Sequence, residues 1–540
     1  MFLGIDLSTQ SISAVVTRSD DARKVVATHA LRLDDLGFAT NNGVLARDDG
    51  SVVAPSRMFV AALDHLLEGL REKVDLATIT AVSGCGQQHG SVFWRKGADE
   101  TLRKLDPSQS LAVQLKDGFA IENGPIWMDS SSTPWCLRLE DHAGGPATLA
   151  TLTGSRAYER FTGNQIAKLI DMTPDFPIKV GRISLVSSLL SCLFIGDYAG
   201  IDDSDATGMN LLNIHSREWV LQCLSSVAGE NLHHDALREM LGTPVVPYLP
   251  LGPIAPYFVK RYGFNPACRV VPFTGDNPST LAGLGISSPG DLAVSLGTSD
   301  TAFAVVSKAE CKPSGEEGHV LINPVDPDTF IVMLCFKNGS LAREHIRSTY
   351  VQGTWSNFNE TLATTSPGNA GVVGFFHLDP EITPPTKQAN QIHLFTADNT
   401  LLPNPKTAPA SVLVRAIVET HALRLLYHTR KLGVRGVKRI LVSGGASANQ
   451  DLVRVLANVF GVAAWEIADP VVSGAAAAVG GVLRAAHALQ CEAAGGVFVP
   501  FHPEVGVRVV AEPDEEAGKV YAKLMERFGT LEAEAVRLSI

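Results

Sequence analysis

No GxxxxGK[ST] phosphate-binding loop occurs in this 540-residue sequence; its one Gly-Lys pair, Gly518-Lys519, continues with Val520. HRD and DFG tripeptides are missing too. Any nucleotide is therefore held without a P-loop lysine and without protein-kinase loops. The turn Gly84-Cys85-Gly86 lacks the last spacing of GxGxxG, which argues against a dinucleotide fold. There is no CxxC pair: the eight cysteines are scattered and have no metal-ligand spacing. That leaves reduced thiols of a cytosolic protein as the expectation. A basic n-region is lacking and Asp6 interrupts the first apolar run, so no signal peptide is expected. No uncharged apolar segment reaches the ~20 residues that span a bilayer. Surplus positive charge is also absent. A net charge of −11 argues against non-specific nucleic-acid binding and against an anionic membrane surface.

What is present is an ordinary globular composition, 45% hydrophobic and 19% charged, in a chain too long for one core. Residues 5–16 and 294–305 read as two copies of one pattern. Each is an apolar strand, a tip of small hydroxyl and glycine residues, and a second strand of period two. Such tips offer backbone N–H groups and hydroxyls to a phosphate with little side-chain bulk. The repeat predicts a duplicated nucleotide-binding fold with a cleft between two α/β domains, placed at residues 1–272 and 273–540. Further strands are expected at Lys24–Leu33, Ile79–Ser83, Arg269–Phe273, Phe330–Phe336 and Arg439–Val442. A helix is expected from Pro55 to Lys73, and residues 145–240 read as mostly helical. An amphipathic helix is expected at Ala410–Lys431, and a small-residue, close-packing helix at Ser473–Leu489. Residues 353–408, rich in Pro, Asn, Thr and Gly, read as an irregular insertion.

Four places carry chemistry. Asp6-Leu7-Ser8-Thr9 puts a carboxylate at a strand end beside two hydroxyls, which suits Mg²⁺ and phosphate. Gly275-Asp276-Asn277-Pro278 puts another carboxylate at a strand-to-helix turn, where open α/β sheets bind ligands. One residue there caps the helix while Asp276 takes a proton from an attacking hydroxyl. His89 closes Gln87-Gln88-His89-Gly90, where amide and imidazole groups suit a polyol. Arg156 and Arg160 are residue types that ordinarily form surface ion pairs. Ser443 to Asn449 follows a strand; its Gly444 and Gly445 let an adenosine lie on bare backbone, with Asn449 in reach.

GIDLSTQ, GQQHG, WMDSS, TGSRAYERFTGNQIAK, GDNP, SLGTSDT, CFKNGSLARE and SGGASAN follow one another in this order. The series resembles the FGGY carbohydrate kinases, most closely their animal-type xylulokinase branch, over essentially the whole chain. The resemblance implies two actin-like, ribonuclease-H-like domains closing over sugar and MgATP. It implies transfer of the γ-phosphoryl group to the 5-hydroxyl of D-xylulose by a cytoplasmic enzyme, monomer or homodimer. His89, Arg160, Asp276 and Asn277 would bind the ketopentose, with Asp276 as general base. Asp6 and Thr9, with Gly297 and Thr298, would face the phosphates and the metal. Trp355, Gly445, Ala446 and Asn449 would contact the nucleotide. Two residues depart from the pattern: Ser8 stands where most of the family has glycine, and Gln88 where many bacterial members have methionine. Other readings of the same motifs are a kinase for another ketose or polyol such as ribulose, a non-catalytic sugar sensor, and an actin-like or chaperone-like ATPase.

Overall fold

The two similar turns each join antiparallel strands in the computed structural model, which describes residues 1–22, 24–503 and 505–540. Phe2–Leu7 pairs with Ser11–Thr17, with Asp6 opposite Ser13. Asp291–Leu296 pairs with Asp300–Ser307, with Ser295 opposite Thr301. Each leading strand also has a parallel neighbour, Ala81–Gly86 in one sheet and Arg439–Ser443 in the other. Each returning strand has an antiparallel neighbour, Val25–Arg32 or Thr329–Phe336. The same four-strand order therefore occurs twice, as the internal repeat predicts.

The chain forms two compact units. The first comprises residues 1–287, 320–328 and 470–505; the second comprises 288–319, 329–469 and 506–540. A cut between 272 and 273 would separate Asp276 from the first unit, but pairing keeps it there. Thr274 and Gly275 lie parallel to Cys85 and Gly86, so the helix Asp276–Gly283 starts at the edge of the first sheet.

Glycine decides the packing of that helix. The small-residue helix Ala476–Ala493 returns to the first unit and lies on Phe2–Leu7, Ala81–Gly86 and Asp276–Gly283. A Cβ on Gly480 would sit 1.8 Å from the Ser279 carbonyl oxygen, and one on Gly4 would sit 1.9 Å from that of Ala478. The strand expected to end at Ser83 runs on to Gly86 for the same reason. Gly84 and Gly86 are places of close approach, not a turn: a Cβ on Gly84 would lie 2.0 Å from the Ile5 carbonyl oxygen.

Two further expectations are corrected. Residues 353–408 are not irregular throughout: they hold the helix Trp355–Ala363, capped by Thr354, and the hairpin of Val373–His377 with Gln391–Phe395. Pro, Asn and Gly between these pieces hide their short apolar patterns. The helix Ala410–Lys431 has the predicted bounds, but it is buried all round from Leu413 to Leu426 rather than amphipathic. Its charges are matched inside the protein, which a hydrophobicity pattern does not display. Residues 145–240 are mostly helical, as expected, and include the strand Val180–Leu185, paired with Ser91–Arg95.

Near the end of the buried helix, His428 sits between Glu317 and Glu532, with Nε2 3.0 Å from the latter. The two carboxylates outweigh burial and raise the imidazole pKa from 6.5 to about 9. This stabilisation is complete below the unfolded value and is lost as pH rises through the folded one. The stability gap between wild type and His428→Gln in urea should therefore be widest near pH ~6 and narrow toward pH ~10; a constant gap contradicts the pairing. Gly84→Ala should cost about 1–3 kcal/mol or more by overpacking, read as a lower urea midpoint at unchanged slope.

Candidate active site

The first hairpin's leading strand brings Asp6 to its carboxyl end. Ser8 Oγ donates to Asp6 Oδ2 at 2.7 Å and the Cys85 thiol donates to Oδ1 at 3.4 Å. Ser8 thus orients the carboxylate. Asp6 keeps a partly open face, yet its surround removes enough hydration to raise its pKa above the usual carboxylate range. No basic side chain pairs with it among the described residues.

Asp276 opens its helix on the far side of Ala81–Gly86 from Asp6, after Thr274–Gly275, and is likewise partly open within a deep surround. Lost hydration and the charge of Asp6 push its pKa up to about 7. The Asn277 backbone N–H donates to Asp276 Oδ1 at 2.8 Å, and the Asn277 amide nitrogen donates to it at 3.1 Å. That amide also donates to Gln88 Oε1 at 2.7 Å. Both Asn277 amide hydrogens are committed, so its carbonyl oxygen is the atom left to accept from a ligand hydroxyl. The Gln88 backbone also hydrogen-bonds the Asp276 carboxylate.

His89 is buried and adopts a left-handed backbone, φ 67°. Its Nδ1 lies 2.8 Å from the Gly208 carbonyl oxygen. A carbonyl only accepts, so Nδ1 carries the hydrogen and Nε2 presents a lone pair. Burial and the charge of Arg160 lower this imidazole pKa to about 3, so it stays neutral at physiological pH. Its ring stacks on Phe161 at 4.6 Å, and Thr162 donates to its carbonyl oxygen. The Arg160 guanidinium lies 4.6 Å from the centroid of Tyr158. Arg156, by contrast, pairs with Glu140 at 3.2 Å. Thr9 is used inside the first unit: its hydroxyl accepts from the Trp127 indole at 2.9 Å and donates to Gln87.

A buried carboxylate escaped the sequence reading. Asp205 is buried beside this group and accepts from Ser187 Oγ at 2.6 Å. Burial, with Asp202 and Asp276 nearby, raises its pKa to about 8. The available signal was Asp202-Asp203-Ser204-Asp205, a carboxylate run in apolar company.

The second unit contains a cavity of about 630 Å³, within the ~300–1,000 Å³ of small-molecule sites. Gly297, Thr298, Trp355, Gly445, Ala446 and Asn449, which are far apart in sequence, all line it. Gly444 does not; its α-carbon lies against Leu296, where a Cβ would be 2.8 Å from backbone. A Cβ on Gly445 would meet open space. Asn449 caps the helix Gln450–Phe460 and donates to Asn359, a wall residue not singled out from sequence. The hairpin behind the cavity is held by Asp300. Arg343 grips both Asp300 oxygens at 2.8 Å, and Arg424 adds a third bond at 3.0 Å. These cations hold the Asp300 pKa far below the usual carboxylate range.

Solved structures share this fold: a Brucella ovis xyloylose kinase has a TM-score of 0.77 at 20% identity, covering 99% of each chain. A Plasmodium falciparum glycerol kinase with ADP has a TM-score of 0.70 at 13% identity, covering 100% of this chain and 98% of that one. The fold is thus that of the two-domain, actin-like sugar kinases. The model of the C-terminal domain of the FGGY family of carbohydrate kinases matches residues 292–489. A xylulose kinase of Rattus norvegicus is 42% identical over 540 residues, covering 98% of this chain and 96% of that protein. Xylulose kinase 2 of Arabidopsis thaliana is 43% identical over 515 residues, covering 93% and 89%. The chain belongs to the FGGY family of carbohydrate kinases and is a phosphotransferase.

Removing Arg343 strips both of its bonds from Asp300 and leaves Arg424 alone to compensate a fully buried charge. Arg343→Met is expected to cost about 3–5 kcal/mol, measured by urea unfolding; a loss below ~1 kcal/mol contradicts the buttress.

Proposed function

We propose that this protein phosphorylates D-xylulose at its 5-hydroxyl with ATP, giving D-xylulose 5-phosphate and ADP. The observation that carries the proposal is Asp276. Its proton affinity sits near neutrality, and Asn277 holds its Oδ1 with two hydrogen bonds. A base of this kind is poised to accept a hydroxyl proton as the phosphoryl group arrives.

In this reading His89 Nε2 and the Asn277 carbonyl oxygen accept from sugar hydroxyls, and Arg160 donates to the sugar. Asp276 accepts the 5-hydroxyl proton, the oxygen forms its bond to the γ-phosphorus, and ADP leaves with the bridging electron pair. Gly297 and Thr298 meet the phosphates by backbone and hydroxyl. Trp355, Gly445, Ala446 and Asn449 hold the rest of the nucleotide, with Gly444 supporting the loop through its backbone. Asp6 fits Mg²⁺: it is a partly open carboxylate without a basic partner among the described residues, its proton affinity raised by lost hydration. When bound, the ion neutralises phosphate charge. Ser8 keeps Asp6 oriented, and Thr9 braces the turn through Trp127. The eight cysteines form no disulfide among the described residues, which suits a reducing cytoplasm. The same reading takes the protein as a monomer or homodimer.

Asp276→Ala should lower kcat by roughly 10²-fold or more while sugar binding weakens less. His89→Ala should instead raise the sugar KM strongly. Near-normal turnover in the first variant, or an unchanged KM in the second, removes that residue from its role.

A further inference from the structure

The buried run 202–208 touches three pieces of chain that carry the candidate sugar site. Asp202 Oδ1 accepts from Thr274 Oγ1 at 2.7 Å, on the short strand that leads into Asp276. The Gly208 carbonyl oxygen holds His89 Nδ1. Between them is Asp205, whose Oδ2 accepts from Ser187 Oγ. Its other oxygen lies against Gln88: a Cβ on Gly275 would stand 2.6 Å from Asp205 Oδ1 and 2.9 Å from the Gln88 amide carbon. Burial raises the Asp205 pKa, and hydrogen bonding from the Gln88 side chain works against that rise. Gln88 Nε2 and Asp205 Oδ1 are both buried and have no other partner among the described residues. Neither is left an orphan only if the amide aims its nitrogen at the carboxyl group.

Orientation is what this contact decides. A side-chain amide can be turned over at little steric cost, which exchanges its donor and its acceptor. With Nε2 toward Asp205, Gln88 Oε1 faces Asn277 and accepts from its amide at 2.7 Å. Turned over, Gln88 would set its own NH2 against that of Asn277 and its oxygen against the Asp205 carboxyl. Asn277 would then lose a bond that holds its amide beside Asp276 Oδ1. Asp205 Oδ1 accepts from the amide whether or not the oxygen on the Ser187 side carries a proton, so the arrangement does not hang on ionisation. We propose that Asp205 is a positioning residue for phosphoryl transfer: it fixes the polarity of the Gln88 amide and, through Gln88 and Asn277, the placement of Asp276. The kinetic consequence rests on the kinase reading with Asp276 as base; the geometry does not.

Asp205→Leu removes the acceptor and should lower kcat with D-xylulose about tenfold, the size of one lost hydrogen bond, with the KM for ATP unchanged. If that variant does not fold, Asp205→Ala removes the same acceptor. Asp205→Asn keeps an oxygen toward Gln88 and donates to Ser187 Oγ, so it should stay within about twofold of wild type. In a Gln88→Met chain, which has no amide to orient, adding Asp205→Leu should cost less than about twofold more. Crystal structures read the same contact without activity: the Gln88 amide should leave Asn277 in Asp205→Leu and stay on it in Asp205→Asn. Absence of wild-type turnover with every sugar would count against the kinase reading alone, since the structures still decide for Asp205. An unchanged kcat in Asp205→Leu overturns the proposal. So does an equal loss in Asp205→Asn, a full tenfold further loss in the Gln88→Met chain, or a Gln88–Asn277 bond that survives Asp205→Leu.

Discussion

Backbone-to-backbone contact without intervening side chains governs the first unit. Gly4, Gly84, Gly283, Gly480 and Gly481 let the helix Ala476–Ala493 press on the sheet and on the helix Asp276–Gly283. That contact sets neighbouring strands so that the charge of Asp6 lies close enough to raise the proton affinity of Asp276. The same helix delivers Arg484, whose guanidinium donates to the carbonyl oxygens of Gly84 and Pro272 and faces Asp202 at 3.6 Å. Position of the candidate base thus depends on a segment some two hundred residues further along the chain.

Two copies of one hairpin have been put to different electrostatic uses. In the first, the carboxylate lies on the leading strand, and a hydroxyl and a thiol are what bind it among the described residues. It stays proton-hungry and open on one side. In the second, Asp300 lies on the returning strand, and two arginines neutralise it within the interior. The first arrangement suits a charge that a ligand will complete, and the second suits a rigid support for a cavity wall.

Much of this was legible in the sequence because period-two alternation around small polar tips has few other meanings. Both hairpins and the bounds of Ala410–Lys431 follow from pattern alone. The residues of the 630 Å³ cavity were legible through resemblance, which gathers positions scattered from 297 to 449. The partners in contact were not. Gln88 against Asn277, Ser8 against Asp6 and Arg343 against Asp300 are long-range or geometric choices that no local spacing encodes. Glycine was misread at 84–86 because one residue type serves both turns and close packing, and only the neighbouring helix distinguishes them. Asp205 was missed because an acidic run ordinarily signals a solvated loop.

The central claim is that phosphoryl transfer here is coupled to one sugar. The most direct measurement is ADP release from MgATP against D-xylulose, L- and D-ribulose, L-xylulose, glycerol and no sugar. The account predicts release far faster with D-xylulose than with any other addition. Equal release with every sugar and with none would contradict it and leave an uncoupled ATPase.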